Sequence, residues 1–499
     1  MADLEVTLTA PNGQKISLST GLFINNEFIK GSSSEKLASI DPATEETIVE
    51  VEVATADDVD KAVKAARAAF NDPTWRDMIP EDRAKLLNKV ADLIDDNKDE
   101  LFALQAWDVG KPYGASQALE WPLVVQCLRY YAGWADKING QTIPISSDKF
   151  GYTIKQPVGV CGAISPWNFP LVNCSWKIGP ALATGCCIIM KPSEFSPLSA
   201  LFLAKLFKQA GYPPGVVQVV NGWGKETGDA LTKHLDIDKI AFTGSTATGR
   251  AVIKAAAVNM KKVTVEAGGK SAFIVFDDAD LEQAAKWAIA GGMGNAGQIC
   301  SANARILVQE GAHEKFVKYF SDFAKASKIG RPFDEGTTQG PQVSKMQYDK
   351  VLEYLDHAKT DGANLVTGGN PYKTLGKGYF IEPTIYTGVT NKMKIFHEEI
   401  FGPVIAVTTF KTEDEAVALA NDSAYGLAGM VFTENMKTAM RTATKLHTGM
   451  VWINESNNYN VKMPFGGVKQ SGLGRELGES TLEAYLEEKV VHVNLGLRI

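Results

Sequence analysis

The chain has 499 residues, of which 45% are hydrophobic and 22% charged, so it can bury a large core and lacks the polar, highly charged balance of a disordered chain. Lys and Arg number 51 against 58 Asp and Glu, a net charge of −7 with no basic block, which offers no grip to nucleic acid or to an anionic membrane surface. The expected partner is a small molecule.

The start, Met1-Ala2-Asp3-Leu4-Glu5, lacks a charged-then-apolar leader, and the final Leu497-Arg498-Ile499 is no retention or peroxisomal signal, so the expected compartment is cytoplasmic. Short strands are expected from Gly21 to Ile29. Thr55 opens a Thr-x-x-Asp capping pattern, and Val59, Ala62, Val63, Ala66 and Phe70 then recur at helical spacing. Pro80 opens a second helix with Leu86, Leu87, Val90, Leu93 and Ile94 on one face.

Residues 140–155 and 483–495 read as strands, the latter with an apolar edge at Val490, Val491 and Val493 that a second subunit would cover. Gln156 to Trp176 holds 21 uncharged residues, enough to span a bilayer, but Pro157, Pro166, Pro170, Asn168 and Asn173 interrupt it and argue against a membrane helix. From Val158 short apolar runs alternate with helices: 158–164, 186–190, 216–220 and 239–243, with a helix opening at Ser196-Pro197 and closing before Gly211. A second series follows at 272–276, 305–308, 404–410, 430–433 and 449–454, with helices from about Asp280 and over 313–327. Such alternation predicts parallel sheets covered on both faces, hence an α/β fold with two domains.

Five short stretches could carry chemistry. Phe242 to Gly249 reads FTGSTATG, a strand end, a Gly-x-Thr-x-x-Gly turn and a helix start, which suits a pyrophosphate or equally an ordinary βα turn. Lys191-Pro192-Ser193-Glu194 follows an apolar strand, where a Lys and a Glu can hydrogen-bond a ribose or simply face water. Glu266 ends the strand of VTVEAGGK beside two glycines, the place for a general base or a solvated turn carboxylate. Asn168, in SPWNFP, offers an amide to an oxyanion or serves a turn.

Cys300, in NAGQICSAN, needs a base or a positive local field to become a thiolate, and a lone cysteine is more often structural. The six cysteines, Cys127, Cys161, Cys174, Cys186, Cys187 and Cys300, show no metal-ligand spacing; six free thiols and no metal are expected.

Together and in this order, with Glu266 and Cys300 separated by 34 positions and Glu398 to Val404 (EEIFGPV) downstream, the five stretches resemble the NAD(P)-dependent aldehyde dehydrogenase superfamily. The resemblance runs from Gly21 to Glu476. It is greatest to the acetaldehyde- and retinal-type enzymes, notably over 127–145, while Ile299 and Ser301 beside Cys300 look more like the betaine and aminoaldehyde branch. Val265-Glu266-Ala267-Gly268-Gly269 departs from the more usual Leu-Glu-Leu-Gly-Gly but keeps the carboxylate.

The resemblance implies a Rossmann-like NAD-binding domain (1–139 and 156–265), a catalytic domain (266–475) and a small β oligomerisation flap (140–155 and 476–499). It implies that Cys300 attacks an aldehyde, that Asn168 and the Cys300 N–H hold the oxyanion, that hydride passes to NAD, and that Glu266 activates water to release the acid. Cofactor contacts are expected from Ile164, Ser165, Trp167, Lys191, Glu194, Gly244, Ser245, Gly249, Glu399 and Phe401, with Glu194 repelling a 2′-phosphate and so favouring NAD over NADP. Phe169, Asn173, Trp176, Ile299, Ser301, Tyr459 and Phe465 are expected to line the substrate tunnel, made more polar by Asn173 and Asn457. Glu455 favours a cationic aldehyde if it points inward, and otherwise is a solvated loop residue. A homotetramer built as a dimer of dimers, or a dimer, is expected. The alternatives are an aminoaldehyde or betaine-aldehyde dehydrogenase and, from another class, a non-catalytic structural or binding protein on the same fold.

Overall fold

The structure, a computed structural model, describes residues 4–498. Residues 1–3 and 499, which the expected first domain and the flap include, lie outside the described residues.

Buried, largely apolar strands form the centre of the first sheet, whose order is Gly472–Leu473, Lys262–Glu266, Lys239–Thr243, Val160–Ile164, Cys187–Lys191, Val217–Val219, Leu22–Ile24 and Glu27–Ile29. The five strands between residues 160 and 266 run parallel. The chain leaves Val160–Ile164 toward one side of the sheet and returns on its other side at Lys239–Thr243, so the strand order reverses between these two neighbours. That is where an open parallel sheet forms a ligand crevice. Register aligns the crevice rim: Ile164 lies opposite Lys191 and Phe242, and Thr243 opposite Glu266.

The second sheet runs Asn364–Thr367, Thr384–Thr387, Val404–Phe410, Arg305–Gln309, Ala272–Val275, Ala428–Phe432 and Met450–Ile453, parallel except at its first pair. The fold is thus α/β with two largely parallel sheets, as expected. The capping box at Thr55 and Asp58 and the Pro80 start are both in place, opening helices Ala56–Asn71 and Pro80–Asp96.

Three features differ from the sequence expectation. Hairpins at Glu5–Thr9 with Lys15–Ser19 and at Lys36–Asp41 with Glu46–Glu52 precede the helices. Helix Lys345–Thr360 and strands Asn364–Thr367 and Thr384–Thr387 fill a stretch where no element was expected. The expected 266–475 unit also does not stay with its own sheet: Gly472–Leu473 pairs with Val265 and Glu266, and Val461 and Phe465 bury in the first core.

The uncharged run over 156–176 resolves into a strand end, the strand Val160–Ile164 and the start of helix Pro170–Thr184, all of whose residues are buried. Among the described residues no helix is long and apolar enough to cross a membrane. Thr142–Ser146, Lys149–Pro157 and Leu486–Asn494 form a separate antiparallel sheet with Lys149–Pro157 at its centre. Ile143, Ile145 and Val490 are exposed on it.

Candidate active site

Cys300 follows a backbone reversal between helix Leu281–Met293 and strand Arg305–Gln309. Asn295, Ala296 and Gly297 all take positive φ, at 50°, 54° and 74°. At Gly297 a side chain would run into the Gly402 carbonyl, so the loop requires glycine there. Gln298 then clamps the turn, its Nε2 donating to the Asn295 carbonyl at 2.9 Å and its Oε1 accepting from the Val343 N–H at 2.9 Å.

The five other thiols are buried, whereas Cys300 is partly exposed on the wall of a cavity of about 350 Å³. Burial pushes its thiol up to about 12, and the Glu399 and Glu266 carboxylates act in the same direction. The N–H groups of Ser301 and Cys300 beside the sulfur pull the other way.

Asn168 lines the same cavity. Its Nδ2 donates to the Gln298 carbonyl at 3.0 Å, while Asn295 Nδ2 donates to the Asn168 carbonyl at 3.2 Å. One bond from the side-chain amide and one to the backbone carbonyl thus tie Asn168 to the loop that carries the sulfur, and one of the two amide N–H groups is left for another acceptor.

Glu266 is buried behind the cavity wall, which is formed at that point by Ala267 and Gly268. Neither carboxylate oxygen makes a hydrogen bond of good geometry among the described residues, the Gly467 N–H being the backbone donor that acts on the group. The carboxylate lies against Gly466, where an added Cβ would collide with Oε1. Burial holds its pKa well above the usual carboxylate range and the Glu476 charge adds to this, against the pull of Arg475 and Lys177.

On the cofactor side the N–H of Gly269 donates to Glu399 Oε1 at 3.1 Å, and a side chain on Gly268 would overlap Oε2. Gly269 must also lack a side chain, since its Cβ would stand 2.6 Å from the Cys300 carbonyl oxygen. Phe401, at φ 62°, meets Trp167 edge-on with ring centroids 5.4 Å apart. Gly244 and Ser245 reach the cavity. Ser245 caps helix Thr246–Ala256, its Oγ accepting from the Thr248 N–H at 3.2 Å.

Lys191 is buried with its Nζ 3.6 Å from Glu194 Oε2, outside the cavity that Cys300 lines. Ile164 and Ser165 sit at the sheet rim, where the Ser165 N–H donates to the Lys191 carbonyl. The Ser165 hydroxyl turns inward against Cys174 at 3.8 Å. Gly249 meets the sheet itself, as a Cβ there would lie 2.9 Å from Val265.

Phe169, Asn173, Trp176, Ile299, Tyr459 and Phe465 line the aldehyde side. Trp176, Tyr459 and Phe465 form an aromatic trio with centroids 4.8–6.3 Å apart. Ser301 corrects the expectation: it is fully buried behind the wall. Its hydroxyl bonds Asn457 Oδ1 at 2.6 Å and the Tyr459 hydroxyl at 2.5 Å, which sets two wall residues instead of forming wall itself. Glu455 accepts from Asn458 Nδ2 at 2.9 Å and lines neither this cavity nor its neighbour.

Cys300, the Asn168 amide and the N-terminal end of helix Thr246–Ala256 thus meet in one cavity at the strand-order reversal of the first sheet. The aldehyde dehydrogenase family pattern matches residues 28–491. The chain belongs to this family. An aldehyde dehydrogenase of Emericella nidulans is 51% identical, covering 99% of each chain. The mitochondrial aldehyde dehydrogenase of Mesocricetus auratus is 47% identical, covering 97% of each. An aldehyde dehydrogenase of Bacillus cereus, solved as an NAD+ complex, superposes with a TM-score of 0.94 at 48% identity over 96% of this chain and 97% of that one. A betaine aldehyde dehydrogenase of Staphylococcus aureus, in complex with NAD+, gives 0.94 at 41% identity over 97% and 96%.

Several residues of this aldehyde dehydrogenase's cavity escaped the sequence reading. Met346, Gln347 and Lys350 come from helix Lys345–Thr360, and Gln347 Nε2 braces the carbonyls of Ile400 and Phe401 at 3.0 and 2.9 Å. Lys177 lies within the wholly buried helix and bonds Glu476 Oε1 at 2.6 Å and Thr243 Oγ1 at 2.7 Å. A single charge inside an otherwise apolar helix was the available signal, since such a charge requires a buried partner.

Proposed function

We propose that this aldehyde dehydrogenase oxidises aldehydes to carboxylic acids with NAD through a thiohemiacetal and then a thioester on Cys300. The observation that carries the reading is the position of Cys300, partly exposed between the Asn168 amide and an aromatic wall on one side and Glu399 on the other.

The Cys300 thiol gives up its proton to water in the cavity, and the thiolate adds to the aldehyde carbon, whose C=O pair moves onto oxygen. The remaining Asn168 N–H and the Cys300 N–H receive the negative oxygen, fixed in advance because the loop that carries Asn168 is hydrogen-bonded to the one that carries Cys300. NAD, when bound, supplies the acceptor for the hydride that leaves the sulfur-bound carbon. The residues fit that cofactor: Gly244 and Ser245 at the helix N-terminus suit its pyrophosphate, Lys191 and Glu194 the adenine ribose, and Glu399 the nicotinamide ribose. The solved relatives that are NAD+ complexes support this choice. The Glu194 carboxylate disfavours a 2′-phosphate and so selects NAD over NADP. Glu266, once rotated from its place against Gly466 into the cavity, takes a proton from the water that hydrolyses the thioester.

An aminoaldehyde or betaine-aldehyde preference is the second reading, favoured by the aromatic trio of Trp176, Tyr459 and Phe465, whose ring faces attract cations. The exposed sheet around Thr142–Ser146 supports assembly into a homotetramer, and six unbridged cysteines suit a reducing cytoplasm.

The test is NADH formation by purified enzyme across an aldehyde panel, with Cys300→Ser as control. NADH formation with wild type and none with the variant is expected, and steady turnover by the variant would sink the mechanism.

A further inference from the structure

A second cavity of about 430 Å³ adjoins the first and shares Leu123, Phe169, Ile299 and Tyr459 with it. Its wall includes Lys111 and Glu120, both nearly inaccessible to solvent at 3% and 4% exposure. Lys111 Nζ donates to Glu120 Oε1 at 2.6 Å and rests 3.6 Å above the centre of the Phe169 ring, at the junction of the two chambers.

The carboxylate of Glu120 is already satisfied. Besides Lys111 it accepts from Ser116 Oγ at 3.2 Å and from Gln105 Nε2 at 3.0 Å. A cation arriving here meets an ammonium and finds no open counter-charge, and an anion would have to shed its water next to Glu120. The ammonium itself spends only one of its three N–H groups on Glu120. Asn295, also on this wall, directs its Nδ2 to the carbonyls of Asn168 and Gln298 at 3.2 Å, which leaves its Oδ1 to accept. Between these polar groups and Cys300 the path runs past Leu123, Phe169 and Tyr459.

We infer that the preferred aldehyde is uncharged, has an apolar middle, and carries at its far end a hydroxyl or ether oxygen that accepts from Lys111 in the outer chamber. This rests on the reading of Cys300 as the aldehyde-binding nucleophile. A hydroxyl also donates to Asn295 Oδ1, so it matches both open valences of the chamber.

The experiment compares kcat/KM of the full-length enzyme with NAD for matched pairs of straight-chain alkanals and ω-hydroxyalkanals of increasing length, with ω-amino and ω-carboxy aldehydes alongside. Short pairs should react alike. Beyond the length that reaches Lys111 the hydroxy form should lead by on the order of tenfold, the usual worth of a hydrogen bond from a charged donor, and both charged forms should trail. In the double variant Lys111→Met/Glu120→Gln, which leaves no unpaired buried charge, the hydroxy-to-alkyl ratio should fall toward one. A ratio near one at every length in the wild type, or a lead by either charged form, overturns the inference whether or not the variant folds. Propanal separates the two levels of the argument: a flat ratio with propanal turning over defeats this inference alone, whereas an enzyme inert toward every aldehyde defeats the catalytic reading with it.

Discussion

The Asn168 side-chain amide donates to the Gln298 carbonyl at 3.0 Å, which fixes the amide on the strand-to-helix loop to the chain two residues before Cys300. A donor held in this way costs little reorganisation when charge develops on the substrate oxygen. Asn168→Ala should therefore lower kcat by roughly 100- to 1,000-fold. Steady-state kinetics together with a melting curve test this, and a variant within a few-fold of wild type would remove Asn168 from the oxyanion site.

Glu266→Gln should release a burst of NADH and then stall, because thioester formation survives and water activation does not. Rapid-mixing absorbance reads the burst. A linear trace at the wild-type rate would assign the base elsewhere.

The same substitution should change stability with a definite sign. Burial, with the Glu476 charge adding to it, raises the Glu266 pKa in the folded state, so between the ordinary carboxylate value and the raised one the folded protein holds the extra proton. Stability from this group is present at low pH and is lost as pH rises through the folded pKa. Glu266→Gln should then melt above wild type at alkaline pH, with the gap narrowing as pH falls. Melting curves across pH check this, and an unchanging gap would mean that the carboxylate is not desolvated as described.

After burial itself, the Glu399 carboxylate does most to raise the Cys300 thiol. Removing it in Glu399→Gln should lower the thiol pKa and speed alkylation by iodoacetamide at neutral pH in the cofactor-free enzyme. The pH dependence of the alkylation rate measures the shift. An unchanged profile would show that burial alone sets the thiol.

Lys177 and Glu476 form a buried pair, at 0% and 4% exposure. Lys177→Met leaves a carboxylate without its partner and should cost about 3–5 kcal/mol of stability, whereas Lys177→Met/Glu476→Leu should recover most of it. Denaturant titrations of both variants decide, and an equal loss in the two would mean that the site punishes shape change instead of unpaired charge.

Much of the fold was legible because burial on both faces leaves a readable trace. Strand Val160–Ile164 is a continuous uncharged run and Lys239–Thr243 has an apolar centre, while helix Ala56–Asn71 opens on its capping box. Strand Asn364–Thr367 was illegible for the opposite reason: it is a short edge strand, half of it exposed, and its residues carry little periodic signal. Helix Lys345–Thr360, which brings Lys350 to the cavity, presents a mixed pattern because part of its face meets the cleft instead of a core.

At the site, sequence named most of the residues that line the cavity, since strand ends, glycine turns and the resemblance all mark positions along the chain. It could not say which way a side chain turns. Ser301 adjoins the nucleophile in sequence yet points behind the wall, and Ser165 faces the core while Trp167, two residues on, faces the cleft.

The sequence by itself determined the two parallel sheets and the family, because these follow from local hydrophobic pattern and short motifs, whereas the strand-order reversal that opens the cleft belongs to the packed sheet. Only the tertiary structure decided that Glu266 stands unpaired beside Gly466, that Gly269 gives up its side chain to the Cys300 carbonyl, and that Lys111 reaches the tunnel over Phe169. Each is a contact between segments far apart in the chain, and its geometry exists only once the two sheets and the loops between them have packed.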